Sequence, residues 1–156
     1  MATSRAEMDR RMRRFANECR QSGLKVTHQR TEVYRELACS EEHPDAETIY
    51  ERVRRRVPAI SRDTVYRTLS ALEERGLVRK AGVLFHRGRY DANIDQHHHF
   101  VCTDCGLIRD VPDKALGGLE LPTSLGTLGR VESAHVQLRG VCSDCSRRNT
   151  LKRRGK

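Results

Sequence analysis

The chain has 156 residues, of which 37% are hydrophobic and 4% aromatic, with no Trp. That composition argues against a large buried enzyme core, and no apolar run is long enough for a membrane span or a signal peptide, so a cytoplasmic protein is expected. The formal charge is +9, and residues 1–90 carry 20 Lys and Arg against 13 Asp and Glu, which makes the N-terminal half the expected polyanion binder.

Met8, Met12, Phe15 and Cys19 recur at steps of three or four, predicting an amphipathic helix over 5–21 that Gly23 ends. Arg10, Arg11, Arg13 and Arg14 give it a basic face. Thr27 is placed to cap a second helix with Val33 and Leu37 inward. Asp45 is placed to cap a third, with Ala46, Ile49, Val53 and Val57 as its inner stripe and Pro58 as its stop. Ser61 opens a fourth, whose Val65, Leu69 and Leu72 share one face while Asp63, Tyr66, Arg67 and Ser70 share the other. Gly76 suits the turn that follows. Residues 77–81 and 83–87 read as extended runs punctuated by Gly82 and Gly88.

Short helices followed by a hairpin predict a winged helix-turn-helix over residues 1–90, with the fourth helix in the major groove. The expected DNA contacts are Arg62, Thr64, Tyr66 and Arg67 on that helix, Lys25 ahead of the second helix, and the wing basics Arg79, Lys80, Arg87 and Arg89. A helical bundle with no DNA role is the rival reading; the basic charge and the hairpin argue against it.

Residues 91–96 read as a polar hinge, 97–148 as a small α/β dimerisation domain, and 149–156 as a basic tail that is expected to fray from Arg147 onward. The fold class is therefore α+β. Strands are expected over 107–111 and 131–139, and the Gly-rich stretch between them is broken by Pro112 and Pro122. Two Cys-x-x-Cys pairs, Cys102/Cys105 and Cys142/Cys145, predict a structural Zn²⁺ with four thiolate ligands, one per subunit. Arg147 and Arg148 stand beside it to offset its negative charge, and a redox dithiol pair is the rival. Cys19 and Cys39 read as packed small hydrophobes.

His97 and His99 are two apart, so on an extended segment they share a face while His98 points away. That favours a second metal, for which Asp91, Asp95, Asp104, Asp110 and Asp113 all remain available as carboxylates. A metal-dependent hydrolase built on these groups would need a substrate cleft and an acid or base that no motif supplies, so no enzyme is expected. A passive metal store is a further alternative.

Residues of about 20–146 resemble the ferric uptake regulator (Fur) family of bacterial metal-responsive repressors. The motifs are Thr27-His-Gln-Arg30, His43-Pro-Asp-Ala-Glu-Thr-Ile-Tyr50, Ser61-Arg-Asp-Thr-Val-Tyr-Arg-Thr-Leu69, Gly76-Leu-Val78, His97-x-His99 and both Cys pairs. The resemblance implies a homodimer that binds a double-stranded DNA operator without an organic cofactor. It also implies a regulatory site made of His43, Asp91, His97, His99 and Asp110. Aspartate at both carboxylate positions looks most similar to the peroxide-sensing PerR branch. In that branch bound Fe²⁺ reacts with hydrogen peroxide and the oxidant attacks a ligand histidine, here His43 or His97, whereas Mn²⁺ holds DNA without that sensitivity. The alternative is an iron- or manganese-responsive repressor with no oxidative step. A further family site is not expected, because Gln96 and His98 depart from its pattern.

Overall fold

In the computed structural model the described residues are 3–81, 88–116, 122, 124, 127, 129–131 and 134–154. They divide into two units, Met1–Ile94 and Asp95–Lys156.

The first unit opens with four helices, α1 (Arg5–Gln21), α2 (His28–Cys39), α3 (Ala46–Arg54) and α4 (Arg62–Glu73). Each starts where a short polar side chain takes an orphan backbone N–H. Ser4 accepts from Glu7, Thr27 from Arg30 at 3.2 Å, Asp45 from Thr48 at 2.8 Å, and Ser61 from Thr64 at 3.1 Å. Such a cap stabilises a helix by about 1 kcal/mol. The end of α4 is as well defined. Gly76 takes φ 65°, a conformation that costs glycine little. There Leu77 N–H donates to the Leu72 carbonyl at 3.0 Å and Gly76 N–H to that of Glu73 at 2.9 Å. This turn sends the chain out of α4 into β1 (Arg79–Lys80), which pairs antiparallel with β2 (Tyr90–Asp91).

The predicted inner stripes meet in one core. Phe15 and Cys19 of α1, Val33 and Leu37 of α2, Ile49 and Val53 of α3, and Val65, Leu69 and Leu72 of α4 are all buried there. Phe15 stacks on Tyr34 with ring centroids 4.7 Å apart. Truncating a fully buried leucine such as Leu69 to alanine would cost about 2–5 kcal/mol. On the other side of α2 the buried Glu32 pairs with Arg35 and, at 2.9 Å, with Arg56, which also binds Glu36 at 2.8 Å. Arg56 follows α3, so its bonds to two glutamates of α2 staple the two helices together.

Three sequence expectations for this unit need adjustment. The strand expected over 77–81 narrows to Arg79–Lys80, the residues that face β2. The second extended run, 83–87, lies outside the described residues, and so does its Arg87. Cys39 is exposed rather than packed, with its sulfur 3.6 Å from Met8 Sδ.

The second unit contains β3 (His97–Cys102), β4 (Ile108–Pro112), β5 (Gln137–Gly140), a 3-10 turn (Asp113–Leu116) and α5 (Ser143–Arg154). The sheet order is β4-β3-β5, with β4 antiparallel and β5 parallel to β3. Among its described residues Cys102, Cys142 and Cys145 form one buried cluster, with Phe100 and Leu107 packed against them, and Val101 and Ile108 are buried in the sheet. Two expectations change here. The strand expected from 131 begins only at Gln137, opposite His99, where the β3 ladder starts. The tail expected to fray is helical to Arg154, because Cys145 lies in the first turn of α5 and ties that helix to the cysteine cluster.

Candidate metal centres and DNA-facing surface

The two Cys-x-x-Cys turns sit at the ends of strands. Cys102 ends β3, and Gly106 at φ 72° lets the chain turn back so that Cys102 N–H bonds the Leu107 carbonyl at 2.8 Å. Cys142 and Cys145 lie where β5 hands over to α5. The four sulfurs converge within 4.8 Å of one another, and Cys105 Sγ lies 3.8 Å from Cys142 Sγ. A tetrahedron with Zn–S bonds of about 2.3 Å has edges of about 3.8 Å, so the thiols fit that ion. Sulfur from both pairs meeting at one point also weighs against two separate dithiols. The backbone N–H of Cys142, 3.2 Å from Cys102 Sγ, is the main reason that thiol titrates down at about 6. Burial pushes Cys145 up to about 12 despite a hydrogen bond of 2.9 Å from Arg148 Nη2. Thiols so crowded resist joint ionisation unless a cation joins them. The unit therefore bears a four-cysteine cluster consistent with a structural zinc site.

The second unit also carries three of the residues implied as regulatory ligands. β3 is extended, so His97 and His99 share a face, and the ladder places His99 opposite Asp110. His97 Nε2 and His99 Nε2 are 3.0 Å apart, and Asp110 Oδ1 lies 3.6 and 3.9 Å from them. Adjacent donors on an octahedral ion with bonds of about 2.1 Å stand about 3.0 Å apart, which matches the imidazole pair. His97 Nδ1 is 2.8 Å from the Asp95 carbonyl, a contact that fixes the N–H on Nδ1 and leaves the Nε2 lone pair for a metal. His98 turns to the other face and is buried. There its Nδ1 accepts from Val136 N–H at 3.1 Å and its Nε2 is 3.1 Å from Asp113 Oδ1.

The other two implied ligands belong to the first unit. Tyr90 N–H bonds the Pro44 carbonyl at 3.1 Å and Arg89 bridges Asp45, so β2 is laid against the entry to α3. His43 and Asp91 are thereby brought together, both buried, with Nε2 and Oδ2 3.5 Å apart. Asp91 Oδ1 also accepts from Asn93 N–H at 2.7 Å. His43 has φ 49°, rare for a residue with a side chain and concentrated at functional positions.

The expected DNA contacts that the structure describes lie on α4, on β1 and on the segment before α2. Tyr66 and Arg67 are exposed on α4, and Arg67 pairs with Asp63 at 3.0 Å in solvent. Arg62 is bound to Glu47 of α3. Thr64 is half-buried, and its hydroxyl is 2.9 Å from that of Ser61. Lys25 is exposed and its carbonyl accepts from Arg30. Arg79 is exposed on β1, and Lys80 pairs with Glu73 at 3.3 Å. Sequence reasoning missed two orienting partners: the Asp95 carbonyl behind His97 and Glu47 behind Arg62. Among the described residues no helix is long and apolar enough to cross a membrane.

The pattern of the Ferric uptake regulator family matches residues 21–124. The chain is 40% identical over 134 residues to transcriptional regulator FurA of Mycobacterium tuberculosis, covering 85% of this chain and 90% of FurA. It is 32% identical over 126 residues to the peroxide-responsive repressor PerR of Staphylococcus aureus, covering 81% and 85%. The ferric uptake regulator Fur of Helicobacter pylori, described as having three functional metal binding sites, superposes with a TM-score of 0.72 at 24% identity, over 89% of this chain and 93% of that one. The expected closeness to the PerR branch is thereby overturned, since identity to FurA exceeds identity to PerR over a longer stretch. That expectation rested on Asp at two ligand positions. Aspartate and glutamate present the same carboxylate, so two positions are a weak guide against the whole chain.

Proposed function

Because the chain belongs to the ferric uptake regulator family, we propose that it is a repressor switched by Fe²⁺ or Mn²⁺ occupancy, with no oxidative step. Regulators of this family are DNA-binding transcription factors, not enzymes. In this reading the protein works in the cytoplasm as a homodimer on a double-stranded operator. Cys102, Cys105, Cys142 and Cys145 hold one Zn²⁺ per subunit, and His43, Asp91, His97, His99 and Asp110 hold one regulatory ion per subunit. Three imidazoles and two carboxylates without a thiolate suit Fe²⁺ or Mn²⁺. When bound, the ion supplies the positive charge that lets two carboxylates and three imidazoles share one place.

The observation that carries this reading is His97: its Nδ1 proton is fixed on the Asp95 carbonyl and its Nε2 faces His99 Nε2 at 3.0 Å. Nothing in a plain sheet requires two ring nitrogens to meet so closely. An ion that needs five donors favours whichever arrangement supplies them all, and so shifts the population toward it. Exposed Leu138 of β5 and Val141 just beyond it support a self-association surface on the second unit.

The test is operator binding by zinc-replete protein with Fe²⁺, Mn²⁺ or added Zn²⁺, each with and without hydrogen peroxide. Binding should need Fe²⁺ or Mn²⁺, and fresh Fe²⁺ should restore any binding lost to peroxide. A mass gain of one oxygen on the His43 or His97 peptide, with binding that fresh Fe²⁺ does not restore, would contradict the absence of an oxidative step.

A further inference from the structure

The regulatory set uses His97 and His99 and leaves out His98 between them. His98 is 1% exposed and lies on the opposite face of β3. An imidazole shut away from water needs partners for both ring nitrogens. Its Nδ1 accepts from Val136 N–H at 3.1 Å, so the ring's proton sits on Nε2. Nε2 lies 3.1 Å from Asp113 Oδ1, off the ideal hydrogen-bond line, and a small rotation of the half-exposed carboxylate closes that angle. Gln96 Nε2 donates to the same oxygen at 3.5 Å.

These contacts fall on the two flanks of β3. Asp113 directly follows β4, and Val136 directly precedes β5. Both lie at the end of the sheet that carries the metal-ligating side chains, where His97 pairs with Pro112 and His99 pairs with Asp110 and Gln137. Pro112 has no N–H to give the ladder, so the backbone holds that end of β4 less firmly. Yet β4 bears Asp110, whose Oδ1 must stay beside His97 Nε2 and His99 Nε2, at 3.6 and 3.9 Å. An apolar side chain would fill the place of His98 without burying two polar nitrogens. What the imidazole adds is a hold on both neighbours of β3 at once.

We infer that His98 and Asp113 are positioning residues of the regulatory site. Acting from the far face of β3, they fix the end of β4 and so keep Asp110 within reach of the ion that His97 and His99 bind. The inference rests on the regulatory-ion reading above and deepens it: part of the metal affinity is set by groups that never touch the metal.

The experiment titrates zinc-replete full-length protein with Mn²⁺, followed by the paramagnetic resonance of free Mn²⁺, for wild type, Asp113→Ala, Asp113→Asn and Asn149→Ala. Zinc content and amide exchange are measured on the same samples. Asp113→Ala should weaken Mn²⁺ by about three- to tenfold, the share that one hydrogen bond carries. Its zinc should be retained, and the β4 peptide should exchange faster. Asp113→Asn loses the charge but keeps an oxygen that accepts from Nε2–H, so most of the affinity should remain. Asn149→Ala breaks a 2.9 Å bond to Asp104 in the same unit and should leave Mn²⁺ binding unchanged, which separates positioning from general loosening. The inference is overturned if Asp113→Ala binds Mn²⁺ as wild type does. It is overturned equally if Asp113→Asn falls as far as Asp113→Ala, since charge alone would then account for the loss, or if Asn149→Ala falls as far. A second Mn²⁺ on wild type that Asp113→Ala removes would make Asp113 a ligand and overturn it too. A wild-type protein that binds no Mn²⁺ would instead sink the regulatory-ion reading, and that arm is read before any variant.

Discussion

Replacing Cys102 with serine should unfold the second unit and spare the first. Cys102 is fully buried, its sulfur accepts the Cys142 N–H at 3.2 Å, and with Cys142 and Cys145 it forms the centre of that unit's core. Among the described residues, Phe100 and Leu107 are the apolar side chains packed against those cysteines. Structural zinc in small domains contributes roughly 10–16 kcal/mol of apparent binding energy, while whole domains are stable by about 5–15 kcal/mol. Losing one of four ligands therefore removes a share comparable to the unit's entire stability. The first unit has its own core, in which Phe15, Leu37, Ile49 and Leu69 are buried without any cysteine ligand. Amide hydrogen exchange read by peptide mass, with zinc content measured on the same sample, checks this. Peptides from β3, β4 and α5 should exchange at once while those from α2 and α4 stay protected. A zinc-free variant that still protects β3 would refute the reasoning.

Three smaller perturbations follow from single contacts. Arg148→Ala removes the hydrogen bond to Cys145 Sγ, so transfer of zinc to a chelator should become about 10–100 times easier; unchanged retention would show that the contact adds nothing. Gly76→Ala forces a side chain into φ 65° at the end of α4 and should lower stability by about 1–2 kcal/mol in a denaturant melt. Burial raises Tyr34 to about 12 from an ordinary value of 10.0. A raised acid favours the folded state while it stays protonated, so this stability is complete below pH 10.0 and is lost as pH climbs toward about 12. The loss is about 3 kcal/mol, and Tyr34→Phe should flatten that part of the alkaline unfolding curve.

Local chemistry made much of this molecule readable from its residues. Thr27, Asp45 and Ser61 each precede an apolar stripe, and a short polar side chain there has one favourable use, so three helix starts could be placed. Period-two spacing put His97 and His99 on one face for the same reason of geometry. What escaped the sequence depends on partners distant along the chain. Spacing left five aspartates open near the histidines, and only the pairing register sets Asp110 opposite His99. Helix α5 has almost no apolar stripe, with Leu151 highly exposed, so nothing in its pattern announces a helix; the anchoring Cys145 does. Cys39 lies on the exposed side of α2, which an isolated thiol does not reveal. Glu47 reads as a first-turn acid of α3, and its hold on Arg62, fifteen residues on, exists only once α3 and α4 pack.

The central claim is that His43, Asp91, His97, His99 and Asp110 hold one regulatory ion. Mn²⁺ titration of zinc-replete protein, followed by the paramagnetic resonance of free Mn²⁺, tests it with His43→Ala and His99→Ala. The account predicts one tightly held Mn²⁺ per wild-type chain, and each substitution alone should weaken that same ion by tenfold or more. A wild-type chain that holds two ions, of which each substitution removes a different one, would contradict it.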